Sequence, residues 1–541
     1  MRQLFERSSE FSRQGCDLIA GSESRRSEMR ARILLGGAAG ITAVLLAGCS
    51  ASPGNSTSQD VQVNPDAIIK VGVTNLQSSW DIAKTAGSLE VPIQKMVYDG
   101  LTGLDEKNNV VPSLAESWNT PDGGKTYEFA LRTGVTFSNG DAFDATSAKA
   151  TIDHYLKAPG STVAGQLANV QEVDIVSPSK LRFVQKQADV SLPAVLSDRA
   201  GIMMDAKVIA SGDFTKPVGT GPFTLEGAQA GVSITLTKQP KYWSPDTVHI
   251  AGVTISQIQD PVAMANAIRS GSVDMGVVGA AQAADLQSAG DTLGTYPIKG
   301  RQLSGITWNP DLYKPLADQR VRDALNMAID RQGIVKGVFL NQGEAASQFR
   351  LNGLPGFSSA AKPIAYDPEQ AKKLLAEAGY ANGLSFNFVA PVKFAKEAEA
   401  IQANWAAIGV SVKVTTPPGS GPADALWYKP TAAAGLWSFD GRNDLSNAYQ
   451  QMLLPSAAYN PGKVADPKVT DLIKQSAATA DPAARAKVFD QLAEITSAST
   501  QANTPVAWVY QVVAYSKSLV GVKPWESGYP ILTGVGVAAN K

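Results

Sequence analysis

Cysteine is nearly missing from this chain: of 541 residues only Cys16 and Cys49 carry a thiol. Nothing past residue 49 can form a disulfide or a thiolate metal site, so the folded body is held by packing and hydrogen bonds. Histidine is as scarce. His154 and His249 are the only two, with no metal-ligand spacing between them, and each reads as a surface or hydrogen-bonded histidine. A basic excess is also lacking. The 48 Lys and Arg stand against 49 Asp and Glu, a formal charge of −1, which leaves no electrostatic footprint for nucleic acid. Long apolar runs are absent as well. The one candidate spans 33–47, and at about 1.5 Å per residue it falls short of the roughly 30 Å hydrocarbon core of a bilayer.

Catalytic signatures are equally thin. There is no Gly-x-Ser-x-Gly elbow. Gly123-Gly124-Lys125-Thr126 imitates the end of a phosphate loop, but Asn119 stands where the first glycine belongs, and the segment reads as a hairpin turn. Ser177-Pro178-Ser179-Lys180 matches Ser-x-x-Lys, yet Pro178 breaks the helix that would bring serine and lysine together. No catalytic residue, cofactor or metal is expected.

The apolar segment at 33–47 follows Arg25, Arg26, Arg30 and Arg32, the layout of a secretory signal. Leu46-Ala47-Gly48-Cys49 resembles the lipobox of bacterial lipoproteins, in which small residues enter a narrow protease site and the thiol, here Cys49, accepts a diacylglycerol. A Ser-, Pro- and Gly-rich stretch, 50–58, then reads as a flexible tether. Met29 opens a compact signal, so residues 1–28 read as an upstream extension or a misplaced start. The expected location is the outer face of a cell membrane, by lipid.

The composition of the rest, 44% hydrophobic and 18% charged overall, is ordinary for a globular chain, and the length points to more than one domain. Tyr127–Leu131 alternates at period two after the turn residues Asp122-Gly123-Gly124, and Leu181–Val184 and Ser233–Thr237 repeat that pattern. The second half carries punctuated helices. Asp367-Pro368 supplies an N-cap and a first-turn proline, Gln370 stands at the capping-box position, and Gly379 stops the helix. Asp481-Pro482 opens another helix through Val488, Leu492 and Ile495, and a third runs from Asp318 through Val321, Leu325, Ala328 and Ile329. The class is mixed α/β. Nine Trp and 14 Tyr, among them Trp80, Trp308, Trp405, Trp427, Trp437 and Trp508, suit either core packing or a ligand cleft with apolar walls.

Val97-Tyr98-Asp99-Gly100-Leu101 and Val111–Trp118 resemble the extracytoplasmic solute-binding proteins of the peptide, oligopeptide and nickel class, partners of ABC importers. The likeness continues through Lys125–Arg132, Val135–Gly140, Val218–Phe223 and Tyr242-Trp243. It is completed by Val321–Asp330 and Tyr366–Leu375, so that it covers most of the chain from 68 to 525. The resemblance implies a two-lobed clamshell with an additional inserted subdomain. One lobe would comprise 66–97, 215–302 and 503–541, the insertion 98–214, and the other lobe 303–502, behind a signal at 1–48 and a tether at 49–65. Two crossings between the lobes would form a hinge, and ligand would stabilise the closed state by touching both sides.

In peptide-binding relatives an Asp shortly after a Gly-x-Trp segment holds the ligand ammonium. Gly435-Leu436-Trp437-Ser438-Phe439-Asp440 fits that pattern and implies Asp440 as the anchor, with Trp437 and Ser438 beside it. Lys393 lies where relatives carry a basic partner for the peptide carboxylate. Asn75 and Trp80 belong to a segment resembling the loop that lines the cleft from the first lobe, Trp80 as a platform or as core. The chain departs from the pattern where Asp444 is followed by Leu445, not Pro, and where 417–430 is short and rich in Pro and Gly. The resemblance implies a monomer that hands a peptide, or another small amine-bearing solute, to a permease and its ATPase. Two readings stay open beside it: a receptor for a nickel chelate or another small solute, and a secreted hydrolase using a pair of carboxylates. A chaperone or adhesin that kept the fold is a third.

Overall fold

The computed structural model describes residues 62–85, 90–288, 292–523 and 532–539. The signal, Cys49 and all but the end of the tether lie outside the described residues. Fourteen strands carry the architecture: β1 (Ile68–Val73), β2 (Ala115–Asn119), β3 (Thr126–Leu131), β4 (Val170–Ser177), β5 (Lys180–Gln185), β6 (Phe223–Gln229), β7 (Ser233–Lys238), β8 (Gly252–Gln257), β9 (Met275–Val278), β10 (Leu293–Trp308), β11 (Leu384–Val389), β12 (Val410–Thr415), β13 (Ala434–Asp440) and β14 (Asn503–Ser516). The helices used below are α1 (Val91–Val97), α2 (Ala145–Lys157), α3 (Pro261–Arg269), α4 (Gln319–Met327), α5 (Pro368–Glu377), α6 (Ala395–Ala407), α7 (Leu445–Leu453), α8 (Pro467–Ala478) and α9 (Pro482–Ala498).

One sheet runs through both lobes in the order β12-β11-β13-β10-β14-β9-β1-β8-β7-β6, with Gly343–Ala345 paired off this path on β14. A separate four-stranded sheet, β2-β3-β5-β4, forms the insertion with α2. The fold is thus the expected two-lobed α/β clamshell with an inserted subdomain.

Each lobe holds a parallel unit: β1 pairs in parallel with β8 and β9, and β11 with β12 and β13. Such strands are covered on both faces and read as short apolar runs, as Ile-Ile-Lys-Val-Gly-Val does in β1. Four apolar clusters among the described residues follow from this layering, one of them built on Met264 and Ile268 of α3 against Val512 of β14. Another reaches from Ile69 and Val71 through Phe129 and Phe183 of the small sheet, so the insertion shares the core of the lobe it interrupts. The other lobe has a cluster on each sheet face, Trp308, Trp405 and Leu436 on one and Trp437, Phe439 and Leu492 on the other.

Only β10 and β14 run on from one lobe into the other among the described residues. Leu293–Ile298 pairs with Ser516–Gln511, then the register breaks, and Gln302 resumes against Val509. The break falls at Lys299-Gly300-Arg301, where Gly300 has a φ of 70°, a left-handed conformation that costs glycine little. This is the hinge.

Local signals in the second half hold up. Asp318, Asp367 and Asp481 each accept a first-turn N–H, at 2.9, 2.9 and 2.7 Å, a bond worth about 1 kcal/mol at such positions. Only half of the capping box forms at Asp367, because its N–H donates to Met327 O and not to Gln370. The helix expected to reach Ile329 ends at Met327, although Ala328 and Ile329 stay in the core. Gly123 and Gly124 sit in a turn with positive φ, and Ser177 to Lys180 is the hairpin bend between β4 and β5. No helix among the described residues is long and apolar enough to cross a membrane.

Candidate functional site

Strand direction locates the site. β13 runs antiparallel to β10 and ends at Asp440, opposite Gln302, the first residue after the hinge break. β9 runs the other way and ends at Val278, opposite Val512, next to the break on its far side. The carboxyl ends of both parallel units therefore meet at the junction of the lobes, the place where open α/β sheets bind ligands.

β13 sorts its side chains by alternation. Trp437 and Phe439 point into one core, Trp437 at 1% exposure and stacked on Phe349 with ring centroids 6.4 Å apart. Ser438 and Asp440 share the opposite face with Leu436, near the end of the strand and half-buried. Lys393, in the turn after β11, donates from Nζ to Ser438 Oγ at 3.1 Å, and Gln302 Nε2 donates to the same oxygen at 3.3 Å. Lys393 is exposed as a whole, yet the protein around its ammonium lowers its pKa by desolvation, against the pull of Asp440. Asp440, Ser438 and Lys393 thus form one polar group at the cleft edge.

Behind that group lies Glu397, fully buried on α6, one helical turn past Lys393. Ser304 Oγ donates to its Oε1 at 2.6 Å, and Ser304 is the cross-strand partner of Ser438. Burial raises the Glu397 pKa to about 8, partly opposed by Ser304, so the carboxyl holds its proton at neutral pH.

The remaining expected residues separate. Trp80, 7% exposed, packs against Tyr98 at 6.3 Å between centroids and takes the core role of its two readings. Trp308, Trp405 and Trp508 are core as well. These tryptophans, with Trp437, serve as core and not as cleft lining. A large ring contributes most when fully removed from water, and these rings cement the two lobes. Asn75 is exposed and lines a small apolar recess of about 90 Å³ with Met96 and Gln511, on the first-lobe side of the hinge. His154 is satisfied by Asp81, 2.9 Å from Nε2 to Oδ1. No cluster of metal ligands occurs among the described residues.

The sequence reading missed a set of charges around Asp198. Lys95 on α1 donates to Ser197 O at 2.7 Å. Burial pushes the Asp198 carboxyl up, but Arg301, Lys95, Arg442 and Arg199 outweigh it and hold the pKa below the usual range. These residues come from four separate stretches of chain, so spacing carries no signal for them. Only Arg442, two residues past Asp440, was near a residue already singled out. Contacts between the insertion and the second lobe complete the closure: Asn443 Nδ2 donates to Ser197 Oγ at 2.9 Å and Val190 N to Ala477 O at 2.8 Å.

Comparison with known proteins agrees with this fold. The family described as bacterial extracellular solute-binding proteins, family 5 Middle, matches residues 109–460. The glutathione-binding protein GsiB of Escherichia coli (strain K12) is 25% identical over 507 residues, covering 90% of this chain and 94% of that one. Among solved structures, AgaA of A. tumefaciens R10 in complex with agropinic acid superposes with a TM-score of 0.77 at 22% identity, covering 88% of this chain and 99% of that one. The oligopeptide-binding protein AppA of Bacillus subtilis, in complex with a nonapeptide, gives 0.75 at 21% identity over 88% of this chain and all of the other, 100%. Members of this family bind solutes outside the cytoplasm for ABC importers and are not enzymes. A two-lobed fold whose strand ends meet at a hinge, and a family match across most of the folded chain, lead to one conclusion: this chain belongs to the bacterial extracellular solute-binding proteins of family 5.

Proposed function

We propose that this protein captures short peptides in the cleft between its lobes and delivers them to an ABC permease, while a lipid on Cys49 holds it at the membrane. The observation that carries the reading is the group at the end of β13. A carboxylate, Asp440, follows Ser438 on the same face of β13, and an ammonium, Lys393, donates to Ser438 Oγ at 3.1 Å. A free peptide is a zwitterion, and this pair offers a partner for each of its ends through charge-assisted hydrogen bonds. The apolar recess beside Asn75 suits a side chain of the bound peptide. Backbone groups of an extended ligand can pair with the cleft as an added strand does.

Relatives support this range of ligands, since one is named for glutathione and another was solved with a nonapeptide. The lipid anchor rests on Leu46-Ala47-Gly48-Cys49 and on the apolar segment before it. The test is incubation of the purified protein with a defined peptide mixture, followed by mass spectrometry of what it retains. A receptor returns intact peptides. Recovery of fragments would replace it with a hydrolase, and retention of no peptide would hand the cleft to another small solute.

A further inference from the structure

We propose that the cavity between the inserted sheet and the second lobe is a carboxylate compartment of the ligand site, in which Arg199 and Arg442 meet an acidic group of the captured solute from opposite walls. The proposal deepens the reading of the cleft as a small-solute site and rests on it. The cavity measures about 410 Å³, within the roughly 300–1,000 Å³ of small-molecule sites. Gln166, Asn169 and Arg199 face it from the insertion, and Arg442, Gln451 and Tyr459 from the second lobe.

What marks the two arginines is the character of their partners. Arg199 donates to Thr85 O at 3.3 Å and to Thr162 O at 3.1 Å. Arg442 donates to Asp440 O at 3.0 Å and to Gln451 Oε1 at 3.1 and 2.8 Å. Every one of these acceptors is a neutral oxygen. Neither guanidinium is within ion-pair distance of a carboxylate among the described residues. Arg442 also lies 4.3 Å over the ring of Phe439, which fixes its plane. Both arginines are half-buried, so each is partly desolvated without a contacting anion, and a planar guanidinium is built to take a carboxylate on two N–H groups.

The one carboxylate lining the cavity among the described residues is already engaged. Asp189 accepts from Ser191 N at 2.8 Å and from Gln450 Nε2 at 3.3 Å. Burial raises its pKa, with Asp444 adding to the rise, which weakens its claim on the arginines. Burial likewise lowers the pKa of Arg442, against Tyr459, Asp440 and Asp198, the cost an incoming anion would relieve. The remaining polar lining is largely amide: Asn169 Nδ2 donates to Gln185 Oε1 and Gln187 O and Gln451 Nε2 to Asn447 Oδ1, while Gln166 also faces the cavity. Because the arginines sit on separate walls, an anion that touches both adds its binding energy to closure, beside the contacts of Asn443 with Ser197 and Val190 with Ala477.

The experiment is calorimetric titration of the full-length protein with two matched pairs of probes, Ala-Glu-Ala against Ala-Gln-Ala and glutarate against glutaramide. The acid of each pair is expected to bind at least about tenfold tighter than its amide, the scale of one charge-assisted hydrogen bond. Arg199→Gln and Arg442→Gln should each shrink that ratio towards one, and Arg442→Lys should keep part of it, with circular dichroism confirming the fold of each variant. Equal binding of acid and amide by the unaltered protein overturns the compartment, and needs no variant to be read; bound peptides would then leave the peptide reading standing. A preference for the acid that survives both Gln substitutions also overturns it. Glutarate bound selectively without either peptide keeps the compartment and removes the peptide reading. If no probe binds, both fall.

Discussion

Lys393 Nζ donates to Ser438 Oγ at 3.1 Å, and Asp440 follows two residues on along the same face of β13. Opposite charges are thereby brought to one end of the cleft by two separate devices: the alternation of a strand and the turn that ends its parallel neighbour. Asp440 hangs from β13 and Lys393 from the short turn Val392–Phe394 that follows β11, and the hydrogen bond to Ser438 ties the turn to the strand.

Replacing Asp440 by Ala should weaken binding of Ala-Ala-Ala by about 1.5–3 kcal/mol, ten- to a hundredfold in Kd, the worth of a hydrogen bond to a charged group. Binding of N-acetylated Ala-Ala-Ala, which lacks the ammonium, should change little. Calorimetry on the two ligands reads the difference, and equal losses for both would move the amine site elsewhere.

Lys393→Met should remove a preference for the free carboxyl terminus of a peptide over its amide while leaving the fold intact. Desolvation lowers the Lys393 pKa, so its charge is disfavoured in the folded state and is not needed for stability. Urea unfolding should show an unchanged or higher midpoint. A marked fall in the midpoint would make Lys393 structural.

Glu397 should make stability depend on pH. Its folded pKa of about 8 lies above the unfolded value. The native state therefore holds a proton that the unfolded chain releases, and stability falls as pH rises from about 4.3 towards 8. Thermal melts across that window should be flatter in Glu397→Gln. An identical slope in the variant would assign the dependence to other groups.

Asp444 and Arg485 form a largely buried pair, their side chains 10% and 16% exposed, with Nη1 to Oδ2 at 2.6 Å and Nη2 to Oδ1 at 2.8 Å. Asp444→Ala leaves the largely buried guanidinium without its anion and should cost up to about 3 kcal/mol, below the range of a fully buried pair. Burial pushes the Asp444 pKa up, but Arg485 outweighs it and the net shift is downward. The stability this group contributes is complete above its unfolded pKa and is lost as pH falls through the folded one. Denaturant titrations at neutral and acidic pH would show the variant's deficit shrinking in acid, and a deficit independent of pH would count against the assignment.

Cys49→Ser should release the protein from membranes without altering its affinity for ligand, because Cys49 is the sole thiol after the signal. Fractionation of cells and calorimetry of the released protein check the two halves. Loss of binding would give Cys49 a role beyond anchoring.

Much of the fold was legible because the signals are local. The Asp-Pro starts at 367 and 481 cap their helices through the side chain, and the alternation at 127–131 and 181–184 appears as neighbouring antiparallel strands. The site was legible only where one strand carries it. Asp440 and Ser438 were reachable because alternation puts them on one face, and the same alternation sends Trp437 into the core. Composition cannot tell which parity faces the cleft, so the tryptophans suited both readings until the packing assigned them.

Arg199 and Arg442 show the other limit. They are 243 positions apart in the chain and share a cavity only because β10 and β14 let the second lobe close on the insertion. Short-range physical chemistry, meaning caps, turns and hydrophobic period, acts between residues a few positions apart, and a single chain displays it openly. It therefore set the elements and the α/β class, and the run of ordered motifs pointed to the family. Which cations stand without a contacting anion, and which wall each faces, depends on long-range closure and on desolvation, and these exist only once the lobes are packed.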